Sequence, residues 1–155
     1  MMPVGILIHR CETGHTGPEV KKAEAQYGLG YHYFIRKDGT VDRLYEDSAL
    51  VWHALHHSTY MLSIAVYGDF HPADKSRNSK PTTAQLISLV KLCTSLWEKY
   101  GALPIYGHTD LPNASTDPSK VCPGRNLDVA SIAKQVFLSF DWTKVPRAND
   151  GAPAT

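Results

Sequence analysis

The chain of 155 residues predicts a single α/β domain, one mixed β-sheet flanked by helices. Three observations carry that expectation. Short apolar runs of strand length alternate with stretches of helical periodicity, the pattern of a sheet with helices packed on its faces. The pair Asp38-Gly39 lies between two β-rich runs. It predicts a hairpin with a type I′ turn, and therefore antiparallel pairing. The other strand candidates are joined through helices, and such crossovers favour parallel pairing.

The elements follow in order. Val4–His9 is a short apolar run and reads as a buried strand; Cys11–Gly17 is a polar loop. Thr16-Gly17-Pro18-Glu19 resembles a helix start, with Thr16 or Gly17 at the cap and Pro18 in the first turn. That helix is expected to run to about Tyr27 and stop at Gly28 and Gly30. Tyr31–Arg36 and Val41–Tyr45 form the predicted hairpin, Ser63–Tyr67 a further strand, and His71–Pro81 a surface loop. Thr82 or Thr83 caps a long helix to about Tyr100. Its Leu86, Leu89, Val90, Cys93, Leu96 and Trp97 recur at spacings of three and four and mark one buried face. Gly101 ends it, and Leu103–Tyr106 reads as a strand leading into His108. A last helix over Asp128–Phe140 should turn Val129, Ile132, Ala133, Val136 and Phe137 inward. The expected division is one folded domain over 1–142 and a flexible tail over 143–155, rich in Pro, Ala, Asn and Asp.

Composition excludes little but directs attention. At 43% hydrophobic and 20% charged residues the chain is ordinary for a soluble globular protein, and its length has room for a sizeable core. The net charge is +1 and the Lys and Arg are scattered, so neither nucleic acid nor a membrane surface is an expected partner. A monomer is expected. Three cysteines at long spacings do not make a disulfide framework. Cys93 falls on a helix's apolar face, and Cys11 receives no role. Residues 1–30 have no basic segment followed by a long apolar one, so synthesis in the cytoplasm without a signal peptide is expected.

The chemistry concentrates in two short segments, Gly107-His108-Thr109-Asp110 and Lys120-Val121-Cys122-Pro123-Gly124. His and Cys thiolate are preferred ligands of zinc. His9, at the end of the first apolar run, supplies a third candidate. Three protein ligands leave a tetrahedral zinc one open position, as in catalytic sites. If the strands before His9 and His108 are parallel neighbours, both imidazoles emerge at one edge of the sheet, where ligands bind in open α/β sheets. Water in the open position would have its pKa lowered to about 7. Lys120 is a fixed cation placed to stabilise a developing oxyanion, although alone it would read as a solvated loop lysine. Tyr31, in Gly30-Tyr31-His32-Tyr33, can orient water or pass a proton. Alternation lets only one of Tyr31 and His32 face the site, without saying which. Trp52-His53-Ala54, near His56 and His57, suits a groove that stacks sugar rings and hydrogen-bonds to peptide, or equally a partly buried loop.

Together these pieces resemble the zinc-dependent N-acetylmuramoyl-L-alanine amidases of type 2, a family that includes small phage endolysins and peptidoglycan recognition proteins. The resemblance runs from about Gly5 to Ala133. It rests on Ile8-His9, Gly30-Tyr31-His32-Tyr33, Arg36-Lys37-Asp38-Gly39-Thr40, Trp52-His53-Ala54, Ser63-Ile64-Ala65-Val66 and the His108 and Cys122 segments, in that order. It implies a mixed sheet with flanking helices and one Zn2+ held by His9, His108 and Cys122. It implies Lys120 and Tyr31 as catalytic residues, and His53 with Trp52 beside it in the substrate groove. The implied reaction cleaves the amide between N-acetylmuramic acid and L-alanine in peptidoglycan.

Three departures stand out. Arg10-Cys11-Glu12 replaces the usual small polar run, the loop from His108 to Cys122 is long, and the chain starts almost at its first strand. Cys as third ligand matches the phage and recognition-protein branch, whereas the cytoplasmic recycling branch has Asp. A phage or prophage endolysin acting on the wall after release is therefore the leading expectation. The alternatives are a muropeptide-binding module without catalysis and a recycling amidase for anhydro-muropeptides.

Overall fold

The computed structural model describes residues 2–53, 60–72, 78–111 and 122–144. Five strands form one mixed sheet in the order β3-β2-β4-β1-β5. They are β1 (Gly5–Cys11), β2 (Tyr33–Ile35), β3 (Val41–Arg43), β4 (Met61–Tyr67) and β5 (Ile105–Gly107). Among the described strands the β2–β3 pair is antiparallel; β1 pairs in parallel with β4 and β5, and β4 with β2. The helices are α1 (Gly17–Ala25), α2 (Thr83–Tyr100) and α3 (Val129–Ser139).

Local chemistry explains the helix boundaries. Glu19 Oε2 accepts the backbone N–H groups of His15 and Thr16 at 2.7 and 3.1 Å, fixing the start of α1. Thr82 Oγ1 accepts the Gln85 N–H at 3.1 Å while Gln85 Oε1 accepts the Thr82 N–H at 3.0 Å, a reciprocal cap on α2. Gly101 ends α2 with φ of 91°, a value that costs a residue with a Cβ. Asp128 caps α3 by accepting the Ser131 N–H at 3.1 Å.

Period-2 alternation splits the sheet into two faces. Ile6 and Ile8 of β1, Tyr33 and Ile35 of β2, and Leu62, Ile64 and Val66 of β4 bury against Leu89, Cys93, Leu96 and Trp97 of α2 and Ile132 and Val136 of α3. This is the main core. The opposite face carries Leu7, His9 and Cys11 with Phe34, Ala65 and Tyr67, and α1 covers part of it through Val20.

Several sequence expectations need correction. The hairpin is not a two-residue type I′ turn. Arg36 N–H donates to Thr40 O at 2.8 Å and Gly39 N–H to Arg36 O at 2.9 Å, which makes a three-residue loop. Gly39 alone has positive φ there, at 89°. Phe137 is 55% exposed, because α3 turns Val129, Ile132 and Val136 inward; its ring instead meets Trp142 at 4.8 Å. The strand before His108 starts at Ile105 rather than Leu103, and α1 ends at Ala25 rather than Tyr27. Of the predicted tail, Thr143 and Lys144 belong to a 3-10 turn, Trp142–Lys144, and the rest lies outside the described residues.

One buried carboxylate ties the segment after β3 to the body. Asp47, with a side chain 6% exposed, accepts hydrogen bonds from the hydroxyls of Tyr33 and Tyr100 and from Lys99 Nζ, the last at 3.0 Å. Burial pushes its pKa up, but the bonds from Tyr100, Tyr33 and Lys99 outweigh that and hold it below the usual carboxylate range. A depressed pKa contributes stability above the unfolded-state value of about 4, lost as pH falls through the folded value. Asp47→Asn should cost roughly 1.5–3 kcal/mol near neutrality, the weight of hydrogen bonds to a charged group. In thermal melts the gap between variant and wild type should shrink on acidification below about pH 4; a gap that stays constant with pH would rule out the ionised Asp47.

Candidate active site

The polar residues gather on the α1 face of the sheet. His9 is the fifth residue of β1, which continues to Cys11, so its imidazole rises from the middle of the strand. This corrects the expectation that it marks the strand's end and emerges at the sheet edge. It is 2% exposed. Parallel pairing of β1 with β5 sets Ile8 opposite Gly107. The next residue, His108, thereby lies beside His9, with ring centroids 4.9 Å apart. A tight turn holds it there: Asp110 Oδ2 accepts the Gly107 N–H at 2.8 Å and His108 O accepts the Leu111 N–H at 3.3 Å.

Cys122 completes the group. Its carbonyl accepts from the Thr109 N–H at 3.2 Å and from Thr109 Oγ1 at 3.1 Å, which fastens the returning chain beside His108. Its Sγ lies 3.9 Å from His9 Nδ1. One donor atom from each of His9, His108 and Cys122 falls within 4.8 Å of the others. Two imidazole nitrogens and a sulfur are a soft, borderline donor set that could hold one metal ion and would suit zinc.

The surroundings prepare those donors. Burial first, then the neighbouring His53 and His108, keep the His9 pKa well below the ordinary histidine value, so the ring is neutral. A metal ligand must be neutral imidazole. His53 Nδ1 lies 3.1 Å from His9 Nε2. If His9 Nε2 carries the proton and donates it there, the lone pair of His9 Nδ1 is left facing Cys122; an outer partner of this kind commonly orients a metal-binding histidine. His53 is itself held neutral, its pKa lowered to about 3 chiefly by burial and then by His32, against a hydrogen bond to the Met61 backbone. Burial raises the Cys122 thiol, while the Arg10 backbone N–H donates to the sulfur and the Arg10 charge acts in the same lowering direction.

Tyr31 closes one side, its ring centroid 5.2 Å from that of His9. Burial, then the charges of Cys11, Glu24 and Cys122, push its pKa far up, so the phenol remains a proton-bearing donor. His32 turns away: its Nδ1 lies 3.1 Å from Ser63 Oγ and accepts the Ser63 N–H at 3.0 Å, and its Nε2 lies 2.9 Å from Ala49 O. Trp52 is 55% exposed, while the adjacent His53 is only 7% exposed and sits behind His9. Lys120, His56 and His57 lie outside the described residues.

Two features escaped the sequence. Glu24 is 6% exposed on α1, with its Oε1 accepting from Thr13 Oγ1 at 2.9 Å and from Cys11 Sγ at 3.7 Å. Its spacing of four from the buried Val20 was the available signal, an acidic residue on the helix's inward face. Arg10 pairs with Asp69, a contact between segments far apart in sequence that no local pattern announces.

The family description of the N-acetylmuramoyl-L-alanine amidases matches residues 1–125. The chain belongs to the N-acetylmuramoyl-L-alanine amidase family. The endolysin of Enterobacteria phage T3 is 27% identical over 106 residues, spanning 68% of this chain and 66%, just under two thirds, of the endolysin. The solved amidase LysC of Clostridium intestinale URNW is 27% identical with a TM-score of 0.70, over 90% of this chain and 87% of that one. Drosophila PGRP-LB shares the fold, with a TM-score of 0.63 at 18% identity over 96% of this chain and 86% of its own. The single mixed sheet with three helices is thus the architecture of this amidase family. Among the described residues of this family member, no helix is long and apolar enough to cross a membrane.

Proposed function

We propose that the protein is a zinc-dependent amidase that hydrolyses the bond between N-acetylmuramic acid and L-alanine in peptidoglycan. In this reading it is a phage or prophage endolysin, made in the host cytoplasm and acting as a monomer on the cell wall after release. Nucleic acid and membrane have no part in it. The observation that carries the reading is the convergence of His9, His108 and Cys122 donor atoms within 4.8 Å, beside the Tyr31 ring. Family membership and the endolysin relative support it.

His9, His108 and Cys122 would hold the metal, and His53 would fix the His9 ring. Zinc, when bound, would supply Lewis acidity and lower the pKa of water to about 7. Tyr31 keeps its proton and can donate a hydrogen bond to water or to the scissile carbonyl. Lys120 supplies a fixed positive charge for the oxyanion that forms when the amide carbon becomes tetrahedral. Trp52, exposed at the rim, offers an aromatic surface to the substrate.

Purified peptidoglycan tests the reaction directly, because cleavage releases new L-alanine amino termini. Lys120→Ala should retain zinc yet slow this release by about 10²–10³-fold, the usual loss for one oxyanion-stabilising group. Wild-type hydrolysis by Lys120→Ala would leave Lys120 as a surface lysine. A wild-type protein that binds muropeptide with zinc in place but releases no amino termini would be a binding module instead.

A further inference from the structure

A second hollow adjoins the site. Between the C-terminal end of α1 and the chain at 45–52 lies a cavity of about 230 Å³, lined by Gly28, Leu29, Tyr45, Leu50, Val51 and Trp52 among others. Leu29, Leu50 and Trp52 are 42, 52 and 55% exposed. Clustered exposed apolar side chains of this kind mark binding grooves. We propose that this hollow binds one neutral N-acetylated sugar ring of the glycan strand, the ring adjoining the muramoyl residue whose amide is cut. The proposal rests on the amidase reading and extends it from the bond to the sugars around it.

Continuity is the first argument. Gly30 and Trp52 both line the hollow, and the Gly30 N–H donates to Trp52 O at 3.0 Å. The next residue after each is Tyr31 and His53 respectively, both beside His9. One pair of hydrogen-bonded segments therefore forms the floor of the hollow and the wall of the site.

Charge is the second. Among the described lining residues none is Asp, Glu, Lys, Arg or His. The nearby Lys21 Nζ rests over the Tyr45 ring, 4.4 Å from its centroid. A stem peptide carries carboxylates and an amine, which are costly to place against an uncharged lining. A pyranose ring offers an apolar C–H face and a rim of neutral hydroxyl and acetamido groups. The hollow of about 270 Å³ beside Cys122 differs in this respect, since its lining includes Asp110, Arg125 and Asp128.

Size is the third. The hollow holds about seven or eight waters at ~30 Å³ each, room for one sugar ring and too little for a helix or a folded partner.

The test compares kcat/KM of the zinc-loaded full chain on two soluble substrates. One is an N-acetylmuramoyl-peptide; the other is the same compound extended by an N-acetylglucosaminyl residue. Wild type should favour the disaccharide by about ten-fold, the factor that 1.4 kcal/mol of contact supplies. Leu50→Asp and, as a milder second variant, Leu29→Ser should bring the ratio close to one. Equal kcat/KM on the two substrates in wild type, or a preference unchanged in both variants, overturns the proposal. A binding measurement separates this from failure of the amidase reading. Tri-N-acetylchitotriose should quench wild-type tryptophan fluorescence with saturation, and more weakly in Leu50→Asp. Saturation would support the sugar site even in a chain that cuts neither substrate; no saturation, or displacement of the sugar by a charged stem tetrapeptide, overturns it.

Discussion

Cys122→Ser should yield a folded protein that has lost its zinc. The expectation follows from the site's construction. Cys122 stands outside every strand and helix and contributes its sulfur and its carbonyl. Serine keeps the carbonyl that anchors Thr109, so the local chain path survives. What disappears is a thiolate, replaced by a hydroxyl that stays protonated near neutrality and donates poorly to zinc. Burial already holds the Cys122 thiol above its ordinary pKa. A divalent cation is therefore what would ionise it. Removing a direct ligand should cost more than the about 10–100-fold in affinity that follows loss of an outer supporting partner. Metal analysis after dialysis against a mild chelator, with thermal melting in the metal-free state, makes the comparison. Stoichiometric zinc in Cys122→Ser, retained as strongly as in wild type, would remove Cys122 from the ligand set.

Tyr31→Phe and His32→Gln should separate chemistry from folding at two adjacent positions. The Tyr31 ring packs near His9, and phenylalanine preserves that ring while deleting the hydroxyl. Fold and zinc content should persist, and release of L-alanine amino termini should fall by about 10²–10⁴-fold, the range for a group that transfers or orients a proton. His32 is 1% exposed and bridges Ser63 of β4 to the Ala49 carbonyl through its two ring nitrogens. Glutamine cannot reproduce both bonds from that backbone position, and an unsatisfied buried group costs about 1–3 kcal/mol. His32→Gln should therefore melt at lower temperature while the folded fraction keeps its zinc and its rate. A fully active Tyr31→Phe beside an inactive but folded His32→Gln would reverse the two roles.

Much of this was legible in the sequence because it rests on local pattern. The apolar runs of β1 and β4, the helical spacing in α2 and the helix starts near Thr16 and Thr82 all declare themselves within a few residues. The grouping of His9, His108 and Cys122 was legible by residue type, since each adjoins an apolar run or a turn. Its placement was not. His9 belongs to the sheet face rather than the edge because β1 runs on through Arg10 and Cys11, two residues whose polarity hid the end of the strand. The hairpin loop was misjudged because Asp-Gly serves both two- and three-residue turns, and the Arg36–Thr40 pairing decides between them. His53 was expected along the groove; its contact with His9 depends on packing across 44 positions of sequence. Phe137 follows helical spacing inward on paper, yet Trp142, from beyond α3, meets its ring on the exposed side.

The separation of the two sheet faces bears on how such a domain diversifies. The apolar mass that sustains folding lies between the sheet and α2 and α3, whereas the proposed ligands and the hollow beside Trp52 draw on residues outside that cluster. Leu29, Leu50 and Trp52 stand outside the buried cluster that contains Ile6, Ile8, Ile64 and Leu89. Well-separated substitutions have nearly additive effects on stability. The rim residues Leu29, Leu50 and Trp52 can therefore be altered at little cost to the scaffold beneath them.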